Sequence, residues 1–226
     1  MKRTLISMAT LVALSSSALL ADKEVYEVNS FNGFSVGTGM IATVNCNGGD
    51  SVTITGDKKD LKELRVRVEE GILYVDRGTS MGKIFNNIFG DKNSSGEIRV
   101  EVSTSMPLDK LEGSTGSSMK VDGCAVNTSM LYVDGGTGAS INVEGATQNL
   151  ELSLSTGGEF NRRIKGRFDV ERADISLSTG ASAYLCNANV IEGSGSTGAT
   201  VMASESSETS NVSMSLGAEV SKKRCK

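Results

Sequence analysis

The stretch Gly135–Val143, "GGTGASINV", decides the fold because near-copies of it recur along the chain. Related phrases begin at Gly113 ("GSTGSSMKV"), Leu177 ("LSTGASAYL") and Gly195 ("GSTGATVMA"). In each copy a glycine follows a threonine, and from Gly116 onward these glycines recur every 18 to 23 residues. Internal repetition at about 20 residues is typical of a stacked array of coils.

We call these pairs the Thr-Gly markers, and the last copy has leucine in place of threonine. The markers, with an early pair included, are Thr38-Gly39, Thr115-Gly116, Thr137-Gly138, Thr156-Gly157, Thr179-Gly180, Thr197-Gly198 and Leu216-Gly217. Around them apolar residues alternate, as in Leu131, Val133, Ile141 and Val143, and a period of two predicts strands with one buried face. The marker threonine lies an even number of residues from these apolar positions, so we expect its side chain to be buried as well. We expect the glycine at a bend that needs a positive φ or lies crowded against the next coil.

A coil of 20 residues has a contour of about 66 Å, which suits three short strands with corners, stacked at about 4.8 Å on the next coil. The sequence therefore predicts an all-β fold, a single-chain parallel β-helix or β-solenoid of about 20-residue coils, in which each coil buries its face only by stacking. The alternative is a β-sandwich of hairpins, because strands of ten residues give the same period.

The chain divides into three parts in sequence. Residues 1–21 read as a signal peptide, with a basic start at Lys2 and Arg3, a short apolar run and a small-residue exit. Residues 22–110 form an N-terminal β section, in which "RVRVEEGILYVD" predicts two strands joined at Glu70–Gly71. Residues 111–226 carry the solenoid repeats, continuous with that section as one domain.

An exposed loop is expected at 78–96, and four apolar residues within it are spaced to share one side of a short helix. They are Ile84, Phe85, Ile88 and Phe89. The loop either covers an open end of the solenoid, as solenoid ends require, or presents a contact patch for a partner.

Composition excludes several classes of function. The chain has no histidine, which rules out Ser-His-Asp and Cys-His catalysis and histidine metal sites. Without Lys2 and Arg3, 21 basic and 27 acidic residues leave a net charge of −6, which disfavours nucleic acid as a partner. We expect no cofactor, no metal, no catalytic residue and no membrane-spanning segment in the mature chain, and the sequence carries no signal for an oligomeric state.

Four cysteines in an exported chain predict disulfides. Cys46, Cys124, Cys186 and Cys225 lie six to eight residues after the preceding marker glycine, hence on a similar side of the rod. Cys46 and Cys124 fall on adjacent coils if the first marker stacks below Gly116, and this pair is favoured. Cys186 and Cys225 lie two coils apart, and free thiols are the alternative for them.

The order of several short motifs resembles a known family. These are "F-x-x-F-x-V-G-x-G-M-x-x-x-V" from Phe31, "V-x-I-T-G-D" from Val52, "G-I-L-Y-V" from Gly71 and "V-x-V-S-T-S-M-P-L-D-K-L-E-G-S-T-G-S" from Val100. With the marker copies, they resemble the auto-transporter adhesin, head GIN domain family over nearly the whole mature chain. The resemblance implies a β-helix-like fold and an adhesive role outside the cytoplasm, and it brings no catalytic residues.

The sequence thus favours an exported, non-enzymatic, adhesin-like solenoid located in the periplasm, on the cell surface or in the medium. Its Ser/Thr/Asn-rich outward rows, exemplified by Ser114, Ser140, Asn142, Ser155 and Ser182, would bind a glycan or an envelope protein. Two alternatives stay open. One is a polysaccharide-active enzyme that uses the basic run Arg162, Arg163, Lys165, Arg167 and Arg172, and the other is a periplasmic scaffold or sensor module.

Overall fold

A computed structural model describes residues 21–78, 96–162 and 166–223. The N-terminal part contains one helical turn, α1, among seven strands. These elements are β1 Asp22–Glu27, β2 Gly33–Val36, β3 Ile41–Asn45, β4 Ser51–Gly56, α1 Lys58–Leu61, β5 Leu64–Glu69, β6 Ile72–Arg77 and β7 Arg99–Ser103.

In the rest of the described chain all regular elements are strands except one 3₁₀ turn at Gly123–Ala125. The strands are β8 Lys110–Gly113, β9 Ser118–Val121, β10 Asn127–Gly135, β11 Ser140–Val143, β12 Gly145–Leu154, β13 Glu159–Phe160, β14 Phe168–Leu177, β15 Ser182–Leu185, β16 Ala188–Gly195, β17 Thr200–Ser204, β18 Val212–Met214 and β19 Glu219–Lys223.

The strands form two sheets that face each other across one core. The nine-stranded sheet runs β18-β16-β14-β12-β10-β8-β2-β6-β5, and the ten-stranded sheet runs β1-β4-β7-β3-β9-β11-β13-β15-β17-β19. Each marker joins a strand of the first sheet to the next strand in sequence, which lies in the second. Neighbouring strands of the repeat pair in parallel, for example Leu152 with Ile175 and Ile141 with Met119. The predicted parallel β-solenoid is therefore confirmed, and the hairpin sandwich is not formed.

The long strands of the nine-stranded sheet bend near their start. Parallel pairing joins Thr128 to Thr147, skips the next position, and resumes at Met130 with Asn149. Thr147 and Leu150 are both buried although they are three residues apart, which a straight strand does not allow. The expected three sides of a coil are therefore supplied by two sheets, one of which turns a corner.

The core consists of inward columns of aliphatic side chains in register. One column runs through Leu111, Val133, Leu152 and Ile175, each at most 2 % exposed. Burial of one such side chain stabilises the fold by about 1.5–3 kcal/mol relative to exposure. Each coil contacts mainly the coils above and below it, so its stability depends on those two neighbours.

The two ends of the stack differ. At the N-terminal end, β1 pairs antiparallel with β4, β4 with β7, and β5 with β6. The β5–β6 hairpin turns at Glu70 and Gly71, the junction that the sequence pattern predicted, and both residues have positive φ. At the other end β18 and β19 are the outermost strands of their sheets, and Leu216 between them is 86 % exposed.

Candidate binding surfaces

The Thr-Gly markers form a column of tight turns along one edge of the solenoid. In Gly136–Ala139 the Ala139 N–H donates to the Gly136 carbonyl at 3.0 Å, and Gly138 has a φ of +66°. A positive φ at the third position alone defines a type II turn. The Gly138 N–H donates in turn to the Thr156 carbonyl at 3.0 Å, and the Gly157 N–H to the Thr179 carbonyl at 3.0 Å. The turns are therefore stacked in register through their main chains.

The expected burial of the marker threonines is wrong, because the side chains of Thr38, Thr115, Thr137, Thr156, Thr179 and Thr197 are all exposed. Because the turn has four residues, the inward-pointing positions of the two flanking strands stay an even number of residues apart. The alternating pattern therefore continues across the turn in the sequence, although the threonine itself points outward. The expected crowding at the glycine is also wrong, because a Cβ built on Gly138 or Gly157 meets nothing within 4 Å. Glycine is needed there for its positive φ.

The polar rows predicted from sequence are divided between two places. Ser140, Asn142 and Ser182 lie in strands on the outer face of the ten-stranded sheet, whereas Ser114 and Ser155 open marker turns at its edge. One outward column in this sheet runs through Ser118, Ser140, Glu159, Ser182 and Thr200. Hydroxyl groups therefore line this column, interrupted by the carboxylate of Glu159.

The outer face of the nine-stranded sheet carries a shallow groove of about 380 Å³, which we call the acidic groove. Its carboxylates are stacked in register, Glu112 beside Asp134 and Glu151 beside Asp174. Tyr132, 43 % exposed, lies among them. Like charges directly opposed across strands repel one another. This face therefore presents a negative potential.

Two cations partly offset that potential. Lys110 lies 2.7 Å from Glu112, and the hydrogen bond to this carboxylate is the main cause that raises the pKa of Lys110. Farther toward the N-terminal end, the Arg67 guanidinium lies 4.7 Å from the Tyr74 ring centroid and pairs with Glu69 at 3.0 Å and with Asp76. Because these cations are engaged, they do not form a free basic patch.

A second, larger groove of about 540 Å³ lies at the bend of the long strands, and we call it the amide groove. Its lining comes from the first residues of β10, β12, β14 and β16, together with Arg167 and Asn187, which precede β14 and β16. The lining residues are Asn127, Thr128, Ser129, Ala146, Thr147, Gln148, Arg167, Asp169, Val170, Glu171, Asn187 and Asn189. None of these was singled out from the sequence except Arg167, because the bend that makes the groove was not predicted.

The predicted basic run does not form a cationic site in the described chain. Arg162 pairs with Glu159, Arg167 pairs with Asp169, and Arg172 lies 2.8 Å from Glu192. Arg163 and Lys165 lie outside the described residues. The cations that the structure places are therefore each neutralised by a carboxylate of their own.

The predicted disulfide between Cys46 and Cys124 is confirmed, with a Cα–Cα distance of 6.1 Å. It links the end of β3 to the 3₁₀ turn after β9, two strands that are neighbours in the ten-stranded sheet. Cys186 is also oxidised, but Cys225 lies outside the described residues, so the pair Cys186–Cys225 stays a prediction. The proposed contact patch Ile84, Phe85, Ile88 and Phe89 lies outside the described residues as well.

Two ionisable groups near the N-terminal end have shifted pKa values for structural reasons. Partial burial alone would raise the pKa of Asp50, but hydrogen bonds from the Ser105 N–H at 2.7 Å and the Ser30 hydroxyl at 2.7 Å lower it overall. The hydrogen bond to Glu24, together with burial, raises the pKa of Tyr26 to about 12. Asp50 thereby ties the loop before β2 to the loop after β7.

Within residues 21–78, 96–162 and 166–223, no three histidine, cysteine or carboxylate side chains converge as a metal site would need. Across the same ranges, no helix is long and apolar enough to cross a lipid bilayer.

Comparison with solved structures shows the same fold in distant proteins. A "putative adhesin" from Bacteroides fragilis is 12 % identical, with a TM-score of 0.62, and the match covers 90 % of this chain and 97 % of that one. A "Putative lipid binding protein" from Parabacteroides distasonis is 13 % identical, with a TM-score of 0.51, over 92 % and 98 % of the two chains. Among curated proteins, no sequence matches this chain.

A protein-family comparison covers the chain from residue 30 to residue 223, which includes every marker and both cysteines of the Cys46–Cys124 bridge. The family is described as "Putative auto-transporter adhesin, head GIN domain". Since the match spans most of the chain and agrees with the solenoid fold, this protein belongs to the auto-transporter adhesin, head GIN domain family.

Proposed function

We propose that this protein is an exported, non-enzymatic binding module of the cell envelope, which holds a glycan or an envelope protein against its outer surface. The observation that carries the proposal is the series of polar side chains in register on the outside of a stiff solenoid. In the column of Ser118, Ser140, Ser182 and Thr200, hydroxyl groups occupy four of five consecutive strands, and Glu159 occupies the strand between Ser140 and Ser182. A regular polar face of this kind suits a ligand with its own repeating hydroxyl or amide groups.

Two further observations support the proposal. Family membership agrees with an adhesive role, and the Cys46–Cys124 disulfide agrees with an oxidising compartment outside the cytoplasm. The described arginines of the basic run are each paired with a carboxylate, which weakens the alternative of a polysaccharide-cleaving enzyme acting on an acidic polymer.

Export is tested by cell fractionation with the native leader present. We expect the protein in the periplasm, on the surface or in the medium, with an N-terminus that begins after residue 18 or residue 21. Recovery of the uncleaved chain in the cytoplasm alone would contradict the proposed location.

Binding is tested on arrays of neutral and acidic glycans and of purified envelope proteins, with heat-unfolded protein as the control. We expect saturable binding by the folded protein only. The proposal fails if the folded protein binds no better than the unfolded control. It also fails if the protein releases new reducing ends from a polysaccharide.

A further inference from the structure

We propose that the amide groove is a binding site for a neutral glycan chain that runs across β10, β12, β14 and β16. This inference rests on the proposed function and names the site and the ligand class. Four strands at about 4.8 Å spacing give the groove a length of about 14 Å. Its volume of about 540 Å³ falls within the range of about 300–1,000 Å³ that is usual for sites of small ligands.

The walls of the groove are two columns of polar side chains on either side of an inward column. One wall contains Asn127, Ala146 and Asp169, which are in register, together with Asn187 just before β16. The other contains Ser129, Gln148, Glu171 and Asn189, at the positions that strand pairing skips. Between them, the inward column is formed by Thr128, Thr147, Val170 and Ala188. Because side chains two residues apart in a strand share a face, both walls point outward and leave a channel between them.

The floor of the channel is fixed by hydrogen bonds to the main chain. The Thr147 hydroxyl donates to the Asn149 carbonyl at 2.9 Å, and the Thr128 hydroxyl donates to the Met130 carbonyl at 3.1 Å. The Asn149 amide spans two strands by donating to the Ser129 carbonyl at 3.2 Å. These contacts hold the bend, so the groove is present before any ligand arrives, which lowers the entropic cost of binding.

Five of the wall side chains are not engaged in this way. In the ranges that the structure describes, the side chains of Asn127, Ser129, Gln148, Asn187 and Asn189 make no hydrogen bond to protein. Each amide offers two donors and an acceptor, and the serine hydroxyl offers one donor and two acceptor lone pairs. Neighbouring hydroxyl groups of a sugar ring offer the same mixture, so the two surfaces are complementary.

Charge selects a neutral ligand rather than an acidic one. Arg167 is the one cation that lines the groove, and it is paired with Asp169. Glu171 is left as an additional negative charge beside the channel. An acidic polysaccharide would therefore meet net repulsion, whereas a neutral chain would accept hydrogen bonds from the amides and place a C–H face on Ala146.

The geometry also favours a glycan over an extended peptide. Peptides commonly bind by adding a strand to an open sheet edge. The strands that form the channel, β12 and β14, already have parallel neighbours on both sides, so their main-chain groups are used in the ladder. The channel therefore offers a ligand only the polar ends of side chains for hydrogen bonding. No aromatic side chain lies among its lining residues. We therefore expect weak binding that depends on hydrogen bonds.

The test is a titration of ¹⁵N-labelled protein with cellotetraose, maltotetraose, a tetramer of N-acetylglucosamine, tetragalacturonate and an extended tetrapeptide. We expect at least one neutral tetrasaccharide to shift the side-chain NH₂ signals of Asn127, Gln148, Asn187 and Asn189. The double variant Gln148→Ala/Asn189→Ala should weaken that binding by about tenfold or more, since it removes two sets of hydrogen bonds. The matched control Asn47→Ala/Asn211→Ala removes two exposed amides that do not line the groove, and it should leave the affinity unchanged.

The outcomes separate this inference from the proposed function. If a glycan binds but shifts signals elsewhere, or if only tetragalacturonate or the peptide shifts the groove signals, the inference about the amide groove is wrong while a binding function stands. If the double variant binds as tightly as the control variant, the groove is not the site. If neither these ligands nor the glycan and envelope arrays show binding, both proposals fail. Melting temperatures of both variants establish that they are folded.

Discussion

The two ends of this solenoid are finished in different ways. The N-terminal end is closed by antiparallel strands and by Phe31 and Phe34, which are 2 % and 0 % exposed. At the C-terminal end Val212, Met214, Ala218 and Val220 pack against the core but stay partly exposed. A coil with one neighbour gains about half of the stacking energy of a coil with two. We therefore expect local stability in this fold to rise with the number of neighbouring coils.

The largest expected effect concerns the bridge at the closed end. The double variant Cys46→Ala/Cys124→Ala opens a loop with a sequence separation of 78 residues and should lower the free energy of unfolding by about 4 kcal/mol, chiefly through the entropy of the unfolded chain. Chemical denaturation under non-reducing conditions measures it. An unchanged midpoint would mean that the closed end does not depend on this link.

The next effect contrasts a middle coil with the last one. Leu177 and Met214 belong to the same inward column, two strands apart, and Leu177 is 3 % exposed. Leu177→Ala should cost about 3 kcal/mol, and Met214→Ala about 1 kcal/mol because less of its side chain is buried. Equal losses of unfolding free energy in urea for the two variants would contradict the expected difference in stability between the middle coil and the last coil.

A smaller contrast uses two marker glycines with nearly the same conformation. Gly157 has a φ of +67° and Gly217 a φ of +72°. Gly157→Ala should cost about 1–2 kcal/mol, since alanine is strained at a positive φ. Gly217→Ala should cost less, because the last coil can relax. Thermal unfolding of the two variants decides, and a larger loss at Gly217 would contradict the comparison.

The smallest effect is a pH dependence at the closed end. Asp50 has a lowered pKa when folded, so its contribution to stability is present above the unfolded value of about 3.9 and is lost as the pH falls through the lower folded pKa. We expect less than about 1 kcal/mol, because the contact is solvent-accessible. Asp50→Asn should flatten this part of the stability profile below pH 4. A variant with the same acid slope as the parent would rule out Asp50 as its source.

The repeat geometry could be predicted from sequence because two signals agree. The markers give the coil length, and the alternation of residues such as Leu131, Val133 and Ile141 gives the buried face. The pairing of Cys46 with Cys124 follows from the same register. The burial predicted for Thr137 is wrong because an alternating pattern looks the same whether a residue lies in a strand or at the second position of a turn with an even number of residues.

The amide groove was missed for a related reason, although its signal is present. In each long strand, one inward residue lies ten positions before the marker glycine, and the next buried residue lies seven positions before it. Thr147 and Leu150 have this spacing before Gly157. A spacing of three breaks the period of two and marks a corner. A threonine there reads as an ordinary strand residue until the structure shows its hydroxyl bonded to the main chain.

The marker turns have a consequence for how this family can diversify. Each turn hydrogen-bonds to the next through main-chain atoms, such as the Gly157 N–H to the Thr179 carbonyl, so the linkage between layers does not depend on which side chains a layer carries. Duplication or loss of one whole layer would leave the main-chain hydrogen bonds at both junctions in place. The molecule is therefore extendable in units of one layer, and a longer copy would present a longer channel of the same cross-section.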